Sequence, residues 1–133
     1  MALNIVQGGN SRIKGTAGGS ITSGDMLQWS SGTLIAATDG TSCAGVAIKD
    51  YSSGDTVVAI KGDGATVIRI SAASGVDFAP GAKCYIYTAT SIDAGSQGNL
   101  ACGIVVNTDP SEAGNVDMEL WTPATTGQYF AHA

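Results

Sequence analysis

Residues 116–121 read Val-Asp-Met-Glu-Leu-Trp, so that apolar and acidic side chains alternate along the first five positions. A period of two places Val116, Met118 and Leu120 on one face of an extended chain and the two carboxylates on the other. A helix would scatter the same residues around its axis. The stretch therefore predicts a half-buried β-strand.

Similar signals recur along the chain. Alternation continues in Thr66–Ile70 and Lys83–Tyr87, and short apolar runs predict further strands at Met26–Trp29, Leu34–Ala37, Ala44–Lys49, Val57–Ile60 and Cys102–Asn107. The composition agrees, because 11 Ile and 9 Val outnumber 5 Leu, and 19 Gly are available for turns. We expect an all-β chain, a compact β-barrel or sandwich of about eight or more short strands. Helix is expected only as a turn or two near Asp109–Ala113.

One tight turn is predicted between two of these strands. Lys61–Gly64 reads Lys-Gly-Asp-Gly, and Asp-Gly readily takes the positive φ angles that a short hairpin loop needs. The flanking segments Val57–Ile60 and Ala65–Ile70 are therefore predicted to form a hairpin.

Two stretches share one order of elements. Residues 23–60 run turn, strand, hairpin, strand, turn and strand, with key glycines at positions 24, 45 and 54; residues 80–120 repeat this order with glycines at 81, 103 and 114. The gaps between these glycines are 21 and 9 residues in the first stretch, and 22 and 11 in the second. We expect an internal duplication in which the two copies complete a single barrel, because three strands alone rarely bury a core.

The two ends of the chain lack this pattern. Residues 1–22 contain one apolar run, Leu3–Val6, followed by five glycines, and residues 122–133 show no alternation. We expect an N-terminal arm at 1–22, a β-barrel domain at 23–121 and a C-terminal tail at 122–133. Both ends are expected to be extended until a partner holds them.

The charge balance argues against several classes of partner. The net charge is −5, and only six Lys and Arg are spread along the chain, so no cationic patch for nucleic acid can be assembled. The same acidity disfavours anionic membranes, and no apolar run approaches the about 20 residues of a membrane span. No basic segment precedes an apolar one at the start, so we expect a soluble protein made in the cytoplasm.

The residue patterns do not point to catalysis. His132 is the only histidine and cannot serve a buried nucleophile, and Gly62-Asp63-Gly64 lacks the rest of a nucleotide-binding motif. The carboxylates lie mostly beside glycines or on outward strand faces, where solvation is their expected role. Asp109, Glu112 and Asp117 could ligate calcium in a loop, but their spacing matches no EF-hand. Three cysteines lack zinc-site spacing and are predicted to be buried, reduced thiols: Cys43, Cys84 and Cys102. We expect no enzymatic activity, no cofactor and no metal.

Binding to other proteins is the function that the remaining features favour. The apolar Leu3, Ile5 and Val6 are separated from the central pattern by glycines, and Arg12 and Lys14 would orient such an arm on an acidic surface. The alternative is that Leu3–Val6 forms the first strand of the chain's own barrel. Aromatic residues predict secondary contacts with a partner or neighbouring subunit: Tyr85, Tyr87, Tyr129 and Phe130.

Four motifs connect these features to a known family: NIVQGG at 4–9, ITSGD at 21–25, GVAIKDYSSGDTV at 45–57 and FAPGA at 78–82. Their order, over roughly residues 1–121, resembles that of the small head decoration proteins, or capsid cement proteins, of tailed bacteriophages. The tail at 122–133 and the aromatic strand with Tyr85 and Tyr87 depart from the family pattern.

This resemblance implies a β-barrel that binds the outer surface of an expanded phage capsid and stabilises it. The implied partner is the major capsid protein, the implied state is a homotrimer, and the implied location is the outside of the virion after synthesis in the host cytoplasm. A second hypothesis is a carbohydrate-binding or adhesin-type module of a virion spike, with Tyr85 and Tyr87 as its stacking platform.

Overall fold

The computed structural model describes residues 5–38, 41–73, 76–94, 101–108 and 114–122, which contain eleven β-strands and no helix. The strands are β1 (Ile5–Gln7), β2 (Arg12–Thr16), β3 (Met26–Ser30), β4 (Thr33–Ala36), β5 (Gly45–Ala47), β6 (Thr56–Ile60), β7 (Val67–Ala72), β8 (Lys83–Thr88), β9 (Ser91–Asp93), β10 (Gly103–Asn107) and β11 (Asn115–Leu120). The predicted all-β class is confirmed. The helical turn predicted near Asp109–Ala113 lies outside the described residues. No helix in the described ranges is long and apolar enough to cross a membrane.

The strands form two sheets with the same plan. The first unit, β2 to β6, has the order β2-β6-β5-β3-β4, and the second unit, β7 to β11, has the order β7-β11-β10-β8-β9. In the second unit β7 also pairs in parallel with β9, through Ala72 and Ile92, which closes a five-stranded barrel. In the first unit a parallel bridge between Ala17 and Leu34 joins the end of β2 to β4 at the corresponding place.

The two units correspond residue by residue. Equivalent antiparallel pairs are Met26–Val46 and Lys83–Ile104, Ala47–Ala59 and Val105–Met118, Val46–Ile60 and Ile104–Glu119, and Trp29–Leu34 and Ile86–Ile92. The turns also match: the amide of Gly24 donates to the carbonyl of Ala47 at 2.9 Å, and that of Gly81 donates to Val105 at 2.7 Å. Both glycines have φ of 92°, a left-handed conformation that a side chain would strain.

The two copies of the repeat do not complete the single barrel that was expected. Each copy instead pairs with a strand that precedes it in the chain. Residues 23–60 supply β3 to β6 and residues 80–120 supply β8 to β11. Each set is completed by the strand before it, because β2 pairs with β6 and β7 pairs with β11. Five strands with one parallel contact then suffice for each unit, and β1 adds a sixth strand to the sheet of the second unit.

The segment predicted to be an N-terminal arm contains strands of both sheets. All five residues of β2 pair with β6, from Arg12–Ile60 to Thr16–Thr56. β1 pairs antiparallel with the start of β7, with Ile5 opposite Ile68. The alternative was that Leu3–Val6 forms the first strand of the chain's own barrel. Residues 5–7 do form a strand paired with β7, but it lies outside the five strands that close the barrel. Residues 1–4 and the tail from 123 onward lie outside the described residues.

The hairpin predicted across Lys61–Gly64 is wrong, since β6 and β7 belong to different sheets. The local chemistry nevertheless bends the chain there. The Asp63 carboxylate accepts hydrogen bonds from the Ala65 amide at 3.0 Å and the Thr66 hydroxyl at 2.9 Å, and Gly64 has φ of 84°. This segment links the two units.

The core is shared between the units. Leu27, Ala47 and Ala59 pack inside the first unit. Met26, Val46 and Ile60 are strand neighbours of these residues and point to the opposite face, which we call the outer face of the first unit. They are fully buried in one cluster with residues from the interior of the second unit: Ile86, Ile92, Met118 and Leu120. The two units are therefore packed together through apolar side chains.

Candidate protein-binding surfaces

The edge strand β1 displays apolar side chains to solvent. Ile5 is 40% exposed and Val6 is 45% exposed, although both are β-branched residues suited to a core. β1 ends the order of the second sheet, so the described strands pair with only one of its edges. Two glycines follow it with positive φ, and the amide of Gly9 donates to the Thr66 hydroxyl at 3.0 Å, which anchors the end of the strand. Leu3 lies outside the described residues.

The two basic residues predicted to orient this segment lie on β2. Arg12 and Lys14 are exposed and alternate with Ile13 and Gly15. Ile13 packs against the core of the first unit, so the basic side chains point away from that core. Arg12 also donates through Nε to the carbonyl of Gly9 at 3.1 Å, which ties β2 to the glycines after β1.

The two tyrosines on β8 have different surroundings. Tyr85 is half-buried in a small cluster with Ala101, Ile104 and Trp121, whereas Tyr87 is 48% exposed. The indole Nε1 of Trp121 donates to the Glu119 carboxylate at 2.8 Å. Tyr85, Ile104 and Trp121 form an aromatic cluster of the second unit, in which Trp121 itself is only 9% exposed. Tyr129 and Phe130 lie outside the described residues.

Trp29 is an exposed aromatic residue that was not among the predicted contacts. It is 51% exposed, at the end of β3 beside the Ser31-Gly32 turn, where Ser31 and Gly32 both have positive φ. Its ring lies against Gly15: a Cβ at Gly15 would be 3.1 Å from the ring atom Cη2 of Trp29. No local sequence signal marks this exposure, because Leu27 shares a strand face with Trp29 and is fully buried. We call Trp29 and the adjoining turn of Ser31 and Gly32 the open end of the first unit.

The three cysteines are buried, as predicted. Burial raises the pKa of Cys43 and of Cys84 to about 12, and raises that of Cys102 well above its ordinary value. A thiol acts as a nucleophile or metal ligand as its thiolate. These side chains are therefore protonated at neutral pH and act as small apolar groups of the core.

Several carboxylates have structural roles that the sequence pattern did not reveal. The carboxylate of Asp25 accepts from the amide of Thr22 at 2.9 Å, and that of Asp55 accepts from Ser52 at 2.8 Å, so both Ser-Gly-Asp motifs close the same kind of turn. Asp117, predicted to be solvated, is only 4% exposed. Hydrogen bonds from the surrounding side chains take the place of water around this carboxylate.

Arg69 is the main partner of the buried carboxylate. Its Nε lies 2.8 Å from Oδ1 of Asp117 and its Nη2 lies 3.3 Å from Oδ2, and Asn107 donates to Oδ2 at 3.1 Å. The hydrogen bond from Arg69 lowers the pKa of Asp117, with a smaller contribution from Asn107. The group joins β7, β11 and the end of β10 on the outside of the barrel.

No group of three or more His, Cys, Asp or Glu within the described ranges is arranged to hold a metal ion. A pocket of about 350 Å³ lies between the end of β7, the segment 76–78 and the start of β11. Asp77 is the one ionisable residue in its lining, beside Thr108 and Asn115. The exposed apolar groups are therefore better candidates for binding than this pocket.

A scan against protein-family models and a search of curated proteins both find no match for this chain.

Proposed function

We propose that this chain is a structural virion protein that binds the outer surface of an expanded phage capsid and stabilises it, as a decoration or cement protein. The observation that carries the proposal is β1, a strand with exposed Ile5 and Val6 and with one edge unpaired by the described strands. The proposed partner is the major capsid protein, the proposed state is a homotrimer, and the proposed location is the virion surface.

The edge of β1 suits the addition of a strand from another chain. Such addition forms main-chain hydrogen bonds for affinity, while side chains on alternate positions give specificity. Of the devices by which natural proteins protect an edge strand, β1 has a short length of three residues and a register shift between Ile5 and Gln7, but its sequence Ile-Val-Gln carries no charge or proline. An apolar strand at an edge is therefore a favourable place for a protein partner.

The scaffold behind β1 is suited to reinforcement. β1 is attached to β7, which pairs with β11 along five residues and closes the barrel through β9. A force on β1 is therefore transmitted to a closed ring of hydrogen-bonded strands. Repeated over a capsid lattice, contacts of modest affinity add up through multivalency.

The test is a binding assay with purified protein. Expanded capsids and unexpanded precursor shells, from the phage whose genome encodes the chain, are each mixed with the protein and sedimented. We expect co-sedimentation with the expanded capsids and a higher temperature of capsid disruption. Val6→Asp should abolish co-sedimentation, because it places a charge in the strand contact while leaving the buried core untouched.

Thr56→Asp is the matched control, since Thr56 is also an exposed β-branched residue near a strand end. It should bind as the unmodified chain does. Absence of binding to either shell would refute the proposed function, and equal binding by Val6→Asp would refute the role of β1.

A further inference from the structure

The two tryptophans of the chain are held in different ways. The indole of Trp121 is 9% exposed, and its Nε1 donates to the Glu119 carboxylate at 2.8 Å. Trp29 is 51% exposed, and its indole N–H has no hydrogen-bond partner among the described residues. A tryptophan combines a large apolar ring with one polar donor, and both parts of Trp29 are available to a ligand.

The ring of Trp29 is held in place by the neighbouring strand. Trp29 lies opposite Leu34 in the pair of β3 and β4. A Cβ at Gly15 would lie 2.8 Å from Cδ1 of Leu34 and 3.1 Å from Cη2 of Trp29, so this glycine makes room for both side chains. One part of the indole thus packs against the backbone of β2 while the rest is in solvent. A side chain that is already fixed loses little freedom when a ligand binds to it.

The equivalent position in the second unit shows that the barrel does not require a tryptophan here. By strand register Trp29 corresponds to Ile86, and Leu34 corresponds to Ile92. Ile86 is fully buried in the cluster shared by the two units. An aliphatic side chain is therefore sufficient at this position of the repeat, and the larger ring of Trp29 extends into solvent.

The turn beside Trp29 supplies hydroxyl groups. Ser31 and Gly32 have φ of 49° and 83°, as in a two-residue hairpin turn whose first position favours glycine, asparagine or aspartate. The Thr33 hydroxyl donates to the carbonyl of Ser30 at 2.8 Å and so closes the turn. The hydroxyls of Ser30 and Ser31 form no hydrogen bond with the part of the chain that the structure describes. Ser31 thus has a strained backbone conformation and a hydroxyl with no role inside the fold.

The hairpin that carries Trp29 is uncharged. Residues 26–38, which include β3, the turn and β4, contain no Asp, Glu, Lys or Arg. The face of an aromatic ring is negatively polarised and attracts C–H groups, which one face of a pyranose presents while its hydroxyls project from the edge. An exposed ring beside free hydroxyls in a neutral segment therefore matches a neutral sugar better than a charged ligand.

We propose that the open end of the first unit is a carbohydrate site, at which a neutral pyranose of a glycan stacks on Trp29 while hydroxyls of the same glycan bond to Ser31 and to the indole N–H. The site replaces the platform expected at Tyr85 and Tyr87, because Tyr85 is half-buried among its neighbours. The inference rests on the first unit and not on the capsid proposal, whose contact lies on β1.

The test follows the two indole N–H signals by NMR of ¹⁵N-labelled protein during separate titrations with maltohexaose, cellohexaose and β-1,4-galactotetraose. The Trp29 signal should move with at least one of these glycans. The Kd should be on the order of 1 mM, as expected for about twelve non-hydrogen atoms held by stacking and a few hydrogen bonds. The Trp121 signal should stay in place, because its N–H is bonded to Glu119.

Variants separate the contributions of the ring and the hydroxyl, with the backbone amide signals of the turn reporting binding where the indole is absent. Trp29→Ala should abolish binding, and Trp29→Tyr, which keeps a ring, should weaken it by less than about tenfold. Ser31→Gly should weaken binding by about threefold to tenfold, because one hydrogen bond is lost. The same change relieves the positive φ, so thermal unfolding should show no loss of stability.

Tyr87→Ala is the matched control, since Tyr87 is an aromatic residue of similar exposure to Trp29, and it should bind as the unmodified chain does. An unmoved Trp29 signal with all three glycans, or unchanged binding by Trp29→Ala, would overturn the proposal. Loss of binding in Tyr87→Ala but not in Trp29→Ala would also overturn it, because the sugar would then lie on β8.

The carbohydrate and capsid proposals can fail separately. Val6→Asp should bind the glycans as the unmodified chain does, even though it should not bind capsids. If Trp29→Ala abolishes co-sedimentation with expanded capsids and no glycan moves the Trp29 signal, the open end contacts protein and the carbohydrate site is rejected.

Discussion

Replacing Gly103 by alanine tests the close packing of the strands at the start of β10. A Cβ at this position would collide with the backbone oxygen of Glu119 and come within 2.6 Å of Sδ of Met118. Methionine can move aside, but the Glu119 oxygen is held by the pairing of β10 with β11. Relief therefore requires the two strands to separate. Introducing a methyl group into such a tight place typically costs about 1–3 kcal/mol, and we expect the upper end of this range.

The equivalent glycine in the first unit gives an internal comparison. A Cβ at Gly45 would lie 2.8 Å from the backbone oxygen of Ile60, a less severe approach, so Gly45→Ala should cost less than Gly103→Ala. Gly19→Ala is the control, because no atom lies within 4 Å of a Cβ there. It should be neutral, or stabilising by up to about 1 kcal/mol through the unfolded chain.

Urea unfolding followed by circular dichroism measures all three variants, with the free energy extrapolated linearly to water. From the most to the least stable, the expected order of the variants is Gly19→Ala, Gly45→Ala and then Gly103→Ala. If Gly103→Ala were as stable as Gly19→Ala, the close approach of β10 and β11 would be refuted.

Two further predictions concern polar groups. Since Arg69 lowers the pKa of Asp117 below the usual 3.8, their interaction stabilises the fold above the pKa of the unfolded chain and is lost as the pH falls through the lowered value. Asp117→Asn should therefore show a smaller drop in the urea midpoint between pH 7 and pH 2 than the unmodified chain, and an equal drop would contradict this. Tyr51→Phe should cost about 1–3 kcal/mol, because the Tyr51 hydroxyl donates to the carbonyl of Val58 at 2.9 Å and accepts from its amide at 3.1 Å. Thermal unfolding measures this, and a change as small as that of the exposed control Tyr87→Phe would count against it.

Strand positions could be predicted from the sequence because alternation is a local property. The strand predicted at Lys83–Tyr87 is observed as Lys83–Thr88, and that at Val57–Ile60 as Thr56–Ile60. Pairing is not local. The Asp-Gly turn chemistry at Lys61–Gly64 is compatible both with a hairpin and with a link between sheets, and the partners of β6 and β7 decide which one forms.

The candidate binding surfaces were predictable only where a residue type was out of place in its segment. The apolar run at Leu3–Val6 stood apart among glycines, and Ile5 and Val6 are exposed even though they lie in a strand. Trp29 gave no such signal, because an aromatic residue in an alternating strand is expected in a core. Its exposure depends on the second unit covering one end of the repeat and leaving the other open, which no local pattern encodes.

The shared strand order has a consequence for how the chain is made. In each unit the first strand pairs with the last, β2 with β6 and β7 with β11, so neither sheet can be completed until its final strand has been synthesised. The first unit reaches that stage once Ile60 has emerged from the ribosome, whereas the second must wait for Leu120. During that interval the outer face of the first unit, with Met26 and Val46, lacks the second unit that covers it in the folded chain. Rapid translation of residues 61–120 therefore limits the time in which nascent chains expose an apolar surface to one another.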